Sequence, residues 1–369
     1  MADMNTTVTV LDACGMAKVP ALLLSRPGSG KSSLIRGLAA AQAVPCETVL
    51  GSQYEPAEIG GLPYLSPDGA GVQREAPAWA KRLVAAGAGF VFLDELTTVP
   101  DSVQGPMLTV VLDRVVGDLQ LPEAVRIVAG ANPPDSAAGG YDLTPPMANR
   151  FCHINYEPTV EDWLHGMATR WKSLPASRAV VASTERSTAT VAAVSGFIHH
   201  RPDLWDKFPQ TPEESGRAYP SGRSWTMLGQ VLAHVRADDV AAIQALAVGL
   251  VGEGAGMEFV QWLQHADLPD PDAVTADPSI VDWANERQDR VWAVLNGVVT
   301  LAAERGTIEA FRKAWKPLGA ASDAGRTDFA AAAARTLATF RPPNAKIPAE
   351  MRKFEPLLKR AGLLSEDAA

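Results

Sequence analysis

The chain has 369 residues, of which 33 are Lys or Arg and 42 are Asp or Glu, so its formal net charge is −9. Its 47% hydrophobic and 20% charged residues are ordinary for a soluble globular protein, and the length allows about two or three domains. The acidic balance argues against a protein that coats nucleic acid non-specifically, although it is compatible with a local basic pore. We therefore expect a globular protein whose partner is not nucleic acid.

The cysteines and the apolar stretches indicate where in the cell the protein is expected to work. Cys14, Cys46 and Cys152 are odd in number and far apart, which fits neither a disulfide framework nor a zinc site. A reducing cytoplasm is therefore the expected location. The N-terminus lacks the basic and apolar regions of a signal peptide, and the longest apolar stretch, Val240 to Val251, is too short to span a bilayer. No membrane association is predicted.

The first part of the chain, residues 1–157, alternates short apolar runs with helical or loop segments. This alternation is typical of an α/β domain with a parallel sheet. Ligands of open α/β sheets bind where the strands end at their carboxyl edge. The predicted strands are Ala21–Leu24, Glu47–Leu50, Phe90–Leu93, Arg126–Ala129 and Cys152–Tyr156.

A glycine-rich stretch from Ser25 to Ser32 follows the first strand and opens a predicted helix over 32–41. Strand, glycine turn and a lysine–hydroxyl pair at a helix start form a phosphate-binding loop, in which backbone N–H groups point at phosphate oxygens. The usual first glycine is replaced by Ser25, whereas Gly28 and Gly30 are present. Lys31 is expected to reach the β- and γ-phosphates of ATP, and the Ser32 hydroxyl to ligate Mg²⁺. The expected nucleotide contacts are Pro27, Gly28, Ser29, Gly30, Lys31, Ser32 and Ser33.

Polar residues follow two further strands. Asp94 and Glu95 come directly after the apolar run that begins at Phe90, and Asn132, followed by Pro133, ends the next run. Asp94 is predicted to hold Mg²⁺ through its water shell, and Glu95 to accept a proton from the attacking water. Asn132 is predicted to orient that water or to contact the γ-phosphate; the alternative is a simple turn.

The order of these parts resembles the AAA+ ATPases, and within them the MoxR family, over roughly residues 10–240. An insertion in the second helix of that family corresponds here to about residues 54–75, where Glu58–Pro63 precedes a hairpin-like turn, Ser66-Pro67-Asp68-Gly69. Residues 99–114 look like the helix after the acidic pair, and Asn132 occupies the family's sensor 1 position. The resemblance implies an α/β P-loop NTPase core with a parallel sheet, followed by an all-α lid and a helical C-terminal region.

The same resemblance assigns candidate arginines. The stretch from Leu143 to Phe151 looks like the family's arginine-finger segment, with Asn149 at the usual place of an acidic residue. Arg150 would then reach the γ-phosphate held by a neighbouring subunit. The stretch from Tyr219 to Trp225 looks like the sensor 2 motif, in which Arg223 would reach the phosphates from the lid. Arg114 is a second candidate for an inter-subunit contact.

From Pro158 onward the pattern is helical, with no predicted strand. We expect a core over residues 1–157, a lid over 158–266 and a C-terminal extension of unassigned role over 267–369, with a linker at Asp267–Asp272. The predicted helices are Glu161–Trp171, Arg178–His199, Ser221–Val235, Asp239–Leu250, Val281–Ala303, Phe311–Trp315, Phe329–Phe340 and Ala349–Leu364.

The resemblance implies an ATPase that works as a homo-oligomeric ring, expected to be a hexamer. Such a ring would remodel or activate a partner protein, expected to contain a von Willebrand factor A domain. Two alternatives remain open: the motor subunit of a metal chelatase, and a nucleotide-gated scaffold or nucleic-acid motor. The presence of Lys31, Asp94, Glu95 and Asn132 argues against an inactive scaffold, and the acidic balance argues against a nucleic-acid motor.

Overall fold

The computed structural model describes residues 2–67, 69, 71–133 and 143–364, without the side chains of Asp101, Pro212 and Glu213. The chain divides into two compact units, Met1–Val181 with Asp206–Met257, and Ala182–Trp205 with Glu258–Ala369. These units divide the chain differently from the three segments expected from the sequence, because residues 182–205 fold together with the C-terminal helices. In the described part of the chain, no helix is both long enough and apolar enough to cross a membrane.

The first unit is built around a parallel sheet. Over the described ranges, five strands lie in the order β2-β5-β8-β1-β9, and every neighbouring pair is parallel. All five predicted strands are present, several of them longer than expected, which confirms the α/β fold class. The strands of the first unit are β1 (Ala21–Leu24), β2 (Cys46–Leu50), β3 (Leu62–Leu65), β4 (Val72–Glu75), β5 (Ala88–Asp94), β6 (Val115–Val116), β7 (Leu119–Gln120), β8 (Ala124–Ala131) and β9 (Cys152–Asn155).

The register of this sheet brings the ends of its strands together. Leu24, the last residue of β1, pairs with Ala131 of β8 and with Asn155 of β9. On the other side of β8, Leu93 pairs with Ala129, so β5 ends at the same edge. The residues that follow these strands therefore lie side by side at the edge where α/β folds bind ligands.

Helices cover the sheet of the first unit, and buried residues such as Phe90, Phe92 and Leu22 form its core. The two strands β3 and β4 form an antiparallel hairpin within the expected insertion, closed by the Ser66 N–H donating to the Gly71 carbonyl at 2.8 Å. Asp68 lies outside the described residues. The helices with most or all of their residues in this unit are α1 (Met4–Met16), α2 (Lys31–Ala41), α3 (Pro56–Gly60), α4 (Ala78–Ala86), α5 (Asp101–Asp113), α6 (Pro145–Ala148), α7 (Val160–Thr169), α9 (Pro212–Ser215), α10 (Gly222–Leu232) and α11 (Val240–Val251).

The second unit is helical. Its core is built around Trp315, which packs edge-on against Phe311 at 5.9 Å between ring centroids and lies 6.0 Å from Phe354. Gly196 lets α8 (Thr184–His200) lie close to α14 (Gln288–Arg305), because a Cβ on this glycine would lie 2.5 Å from the Cβ of Ala293. The remaining helices are α8 (Thr184–His200), α12 (Glu253–Ala266), α13 (Pro271–Ala276), α14 (Gln288–Arg305), α15 (Ile308–Asp323), α16 (Thr327–Thr339) and α17 (Glu355–Arg360).

Several predicted helices begin or end elsewhere, for local reasons. The helix expected from Arg178 begins at Thr184, because the Ser183 hydroxyl caps it by accepting the Arg186 N–H at 3.2 Å. The predicted end of the linker at Asp272 was wrong, because α13 already begins at Pro271. Proline is tolerated in the first turn of a helix. The predicted C-terminal helix is a 3₁₀ turn, Glu350–Phe354, followed by α17.

Helix α1 and helix α12 were absent from the predicted elements. Most side chains of α1 are buried, including Thr6, Thr7 and Thr9. A helix that is buried on nearly all sides lacks the one-sided apolar stripe that reveals an amphipathic helix in sequence.

A close contact between α11 and β9 depends on a glycine. A Cβ built on Gly249 would lie 2.3 Å from the carbonyl oxygen of His153, which is closer than atoms can approach. We predict that Gly249→Ala destabilises the first unit by about 1–3 kcal/mol, because the helix must move away from the strand. Thermal unfolding measures the loss. Gly254→Ala is the matched control, since a Cβ there has open space, and an equal loss in both variants would contradict this account.

His153 of β9 is buried, and its Nε2 lies 2.8 Å from the Ala148 carbonyl oxygen, to which it donates in the neutral Nε2–H tautomer. Burial lowers the pKa of His153 to about 4, from an ordinary value of 6.5. The unfolded chain therefore binds this proton more readily, so stability is lost as the pH falls from 6.5 towards 4, by at most about 3 kcal/mol. We predict that His153→Gln makes the pH dependence of urea unfolding shallower in this window. Parallel curves for the two proteins would contradict the assignment.

Candidate nucleotide site

The loop between β1 and α2 has the conformation of a phosphate-binding loop. Gly28 and Gly30 have φ angles of 78° and 91°, a region that glycine adopts without steric cost. Gly30 precedes the first residue of α2 and offers no side-chain cap, so the first N–H groups of the helix are available to an anion. Ser25, which replaces the usual glycine, shares a short hydrogen bond between its hydroxyl and that of Ser29. This contact ties the two ends of the turn together.

Lys31 is the buried cation of the site. Its Nζ donates to the Ser25 carbonyl oxygen at 2.7 Å and to Oδ1 of Asn132 at 2.9 Å. Burial lowers the pKa of the Lys31 ammonium, and the nearby carboxylate of Asp94 acts in the opposite direction. The structure thus brings Lys31 and Asn132, which are 101 residues apart in sequence, into direct contact.

Ser32 and Asp94 form the second contact across the site. The Ser32 hydroxyl donates to Oδ2 of Asp94 at 2.8 Å, while Oδ1 of Asp94 accepts the Glu95 N–H at 2.9 Å. A hydroxyl and a carboxylate are oxygen ligands of the kind that Mg²⁺ takes together with phosphate oxygens and water. No cluster of three or more His, Cys, Asp or Glu side chains suited to a metal occurs in the described residues. The donor set therefore fits an ion that arrives with a nucleotide.

Glu95 lies on a sharp turn at the end of β5. Its φ of 58° places it in the left-handed region, which costs a non-glycine residue roughly 1–2 kcal/mol. The Thr98 hydroxyl and N–H hold the turn by donating to the Glu95 carbonyl at 2.8 and 2.9 Å. Its carboxylate accepts a hydrogen bond of 3.4 Å from Ser52 and is otherwise exposed. The turn leaves this carboxylate accessible to water beside Asp94.

The predicted finger and sensor 2 segments are joined to each other. Asn149, which is buried, accepts a hydrogen bond from the Ser221 hydroxyl at 2.9 Å and donates to the Tyr219 carbonyl at 3.4 Å. An amide can accept and donate at once, whereas a carboxylate only accepts. A carboxylate at this position could accept from Ser221 but could not donate to the Tyr219 carbonyl.

Arg150 and Arg223 are close enough to repel. Burial lowers the pKa of Arg150, and the charge of Arg223 lowers it further. The Arg150 guanidinium contacts the Pro146 carbonyl, and its Nε is buried without a partner in the described part of the chain. Within the described residues, no hydrogen bond or ion pair connects either arginine to Asp94. The charge of Arg223 thus acts on Arg150, while Asp113 and Tyr219 raise the pKa of Arg150 in the opposite direction.

Arg114 has a different environment. It ends α5 with a φ of 58°, and its guanidinium donates to the carbonyls of Pro122 at 2.8 Å, Glu123 at 3.3 Å and Val125. Burial lowers its pKa. These contacts within its own chain hold the loop before β8 and favour Arg150 as the inter-subunit candidate.

Trp171 was predicted only as the end of a helix, but its indole lies beside Gly30. The sequence carries no signal for this contact, since the two residues lie in separate segments that only the folded chain brings together. Asn149 was likewise noted only as a departure from a pattern, and its two hydrogen bonds required the position of Ser221.

Truncation of Arg114 should destabilise the protein much more than truncation of Arg150. We predict that Arg114→Ala lowers the free energy of unfolding by about 2 kcal/mol or more, because three carbonyls lose a charged donor. Arg150→Ala should change stability by less than about 1 kcal/mol, since it also removes the repulsion from Arg223. Thermal or urea unfolding of the two variants measures this difference. A larger loss of stability for Arg150→Ala than for Arg114→Ala would contradict the structural role assigned to Arg114.

Comparison with known proteins identifies the domain. Residues 20–151 match the model of the AAA domain, dynein-related subfamily. No curated protein matches the chain. Among solved structures, the chain is similar to the crystal structure of a proposed ATPase from Cytophaga hutchinsonii, with 13% identity, a TM-score of 0.44, and coverage of 71% of this chain and 90% of that chain. The domain match, together with the parallel sheet and its glycine-rich loop, establishes that residues 20–151 form a AAA domain with the P-loop fold of the AAA+ ATPases.

Proposed function

We propose that this chain is an ATP-hydrolysing motor of the MoxR type that works with Mg²⁺. One observation carries the proposal: the phosphate loop is joined to the ends of two other strands of the sheet. Lys31 contacts Asn132 after β8, and Ser32 contacts Asp94 at the end of β5. A buried lysine, a hydroxyl–carboxylate pair and an amide at one sheet edge are the parts that phosphoryl transfer to water requires.

Each residue then has one task in the reaction. The N–H groups of the loop and the Lys31 ammonium bind the β- and γ-phosphates, and Asn132 exchanges its bond to Lys31 for one to the γ-phosphate or the attacking water. Ser32 and Asp94 would hold Mg²⁺, which neutralises charge on the phosphate oxygens. Water attacks the γ-phosphorus as the bond to the ADP oxygen breaks, and Glu95 accepts the proton that the water releases.

The arginine pair supports assembly into a ring. Two guanidinium groups that repel each other are stabilised when an anion lies between or beside them, and a phosphate is such an anion. We propose that Arg150 reaches the γ-phosphate bound by a neighbouring subunit of a hexameric ring. Arg223, at the start of α10, would report the nucleotide state to the lid. Hydrolysis would then depend on assembly.

Motion of the ring driven by ATP hydrolysis would act on a partner protein. The β3–β4 hairpin exposes Leu65 at 78% and Val72 at 69%, an apolar surface that suits contact with another protein. We propose that the ring remodels or activates a partner containing a von Willebrand factor A domain. We propose that it works in the cytoplasm, because three cysteines widely spaced in the sequence fit no disulfide framework.

Steady-state ATPase activity as a function of protein concentration tests the motor. We predict that specific activity rises with concentration, because the finger comes from a neighbour. Glu95→Gln should abolish turnover while ATP still binds, and Arg150→Ala should lower turnover by about 10³- to 10⁵-fold. Arg236→Ala is the matched control, since Arg236 forms an exposed ion pair with Asp238 away from these residues.

Two results would contradict the proposal in different ways. Activity that is independent of concentration and unchanged in Arg150→Ala would exclude a finger supplied by a neighbour. ATP binding without turnover in the unmodified chain would indicate a nucleotide-gated scaffold instead.

A further inference from the structure

Three glycines make room for Trp171: Gly30 and Gly166 border its indole, and Gly37 borders its backbone carbonyl. A Cβ built on Gly30 would lie 3.0 Å from the indole Cη2, and one built on Gly166 would lie 2.7 Å from Cζ2. A Cβ built on Gly37 would lie 2.6 Å from the Trp171 carbonyl oxygen. Glycine inside a helix is unfavourable, so Gly37 and Gly166 are best explained by the space that this tryptophan needs. The contacts join the phosphate loop, α2 and α7 to one aromatic residue.

The backbone before the indole is held in an unusual conformation. Arg170 and Trp171 have φ angles of 52° and 58°, a region that residues with side chains rarely adopt. The Trp171 N–H donates to the Gly166 carbonyl at 2.8 Å, and the Arg170 N–H donates to Met167 at 3.3 Å. This pair of bonds turns the chain back onto the end of α7, where glycine is usual. Strain of this kind concentrates at functional sites.

The indole lies beside the phosphate loop, next to the helix face along which a nucleotide bound at the loop would continue beyond its phosphates. Gly30, Ser33 and Gly37 share one face of α2, because they are spaced three and four residues apart. If the Ser33 N–H binds the phosphate nearest the ribose, as in the proposed site, the ribose and base leave the loop along this face. Trp171 is half-buried, so part of the residue remains accessible.

We propose that Trp171 forms a wall of the base site and that its indole contacts the purine ring of the bound nucleoside triphosphate. A large, flat aromatic surface binds any base by stacking, without reading its hydrogen-bonding edge. The residue sets affinity for the nucleoside part of the ligand and leaves the phosphate contacts to the loop. This inference rests on the proposed function only in that ATP binds at the loop; it does not require hydrolysis.

Binding measurements with two ligands separate the base from the phosphates. We would measure the Kd for ATP and for inorganic tripolyphosphate, both with Mg²⁺, by calorimetry for the unmodified chain, Trp171→Ala and Trp171→Phe. Trp171→Ala should weaken ATP binding by roughly 5- to 150-fold and leave tripolyphosphate binding unchanged. Trp171→Phe keeps an aromatic face and should recover part of the loss. Trp163→Ala is the matched control, because Trp163 is 48% exposed on α7.

A second measurement uses the unmodified protein and does not depend on how well Trp171→Ala folds. ATP, but not tripolyphosphate, should change the tryptophan emission, and the change should disappear in Trp171→Phe. Equal weakening of both ligands would overturn the proposal and make Trp171 a support for the loop. Unchanged ATP binding in both variants would overturn it as well. Failure of the proposed function is distinguishable from failure of the Trp171 proposal. In that case the unmodified chain would bind ATP without hydrolysing it, or would not bind ATP at all.

Discussion

The buried ammonium of Lys31 is the constraint on which the site depends. A buried cation is costly unless hydrogen-bond acceptors and an opposite charge surround it. Here the acceptors are the Ser25 carbonyl and Asn132, and the carboxylate of Asp94 supplies the charge. These groups come from the ends of three parallel strands, so the lysine is satisfied only when the sheet is in register. A slip of one residue in any of these strands would turn each side chain to the opposite face of the sheet.

Several residues with unusual backbone conformations lie at or near this edge. Gly28 and Gly30 shape the loop, Glu95 takes a left-handed turn beside it, and Arg170 and Trp171 take two more on the far side of α2. Each non-glycine residue in this region carries a cost that the regular sheet and its core must offset. The arrangement fits a site in which a rigid sheet edge supplies precise positions and short strained turns direct the groups that act on a ligand.

The two arginines stand apart from that edge within one chain. Asn149 and Ser221 join their segments directly, so the proposed sensor 2 helix is in direct contact with the proposed finger segment. Such a link is the kind of connection that lets nucleotide state and assembly influence each other through one packed element. The hydrogen bond between Asn149 and Ser221 is therefore the contact through which the proposed coupling between lid and neighbour would pass.

The linear pattern of residues was enough to indicate the strands, the phosphate loop and the acidic pair. Apolar runs of four to eight residues and the Gly28–Ser32 motif act over short distances, so local spacing specifies them. The N-cap of α8 at Ser183, the start of α13 at Pro271 and the buried helix α1 were missed or misplaced. The first two boundaries are set locally, by a capping hydroxyl and by the tolerance for proline in a first turn, whereas the all-round burial of α1 depends on neighbours that spacing does not reveal.

Contacts between distant segments were decided only by folding. Three contacts join segments that the sheet and its helices bring together. Lys31 donates to Asn132, Arg114 donates to three carbonyls, and Trp171 packs on Gly30. The sequence supplied the chemical groups, and the parallel register decided which of them meet, because a side chain's partners are set by its place in three dimensions and not by its neighbours along the chain.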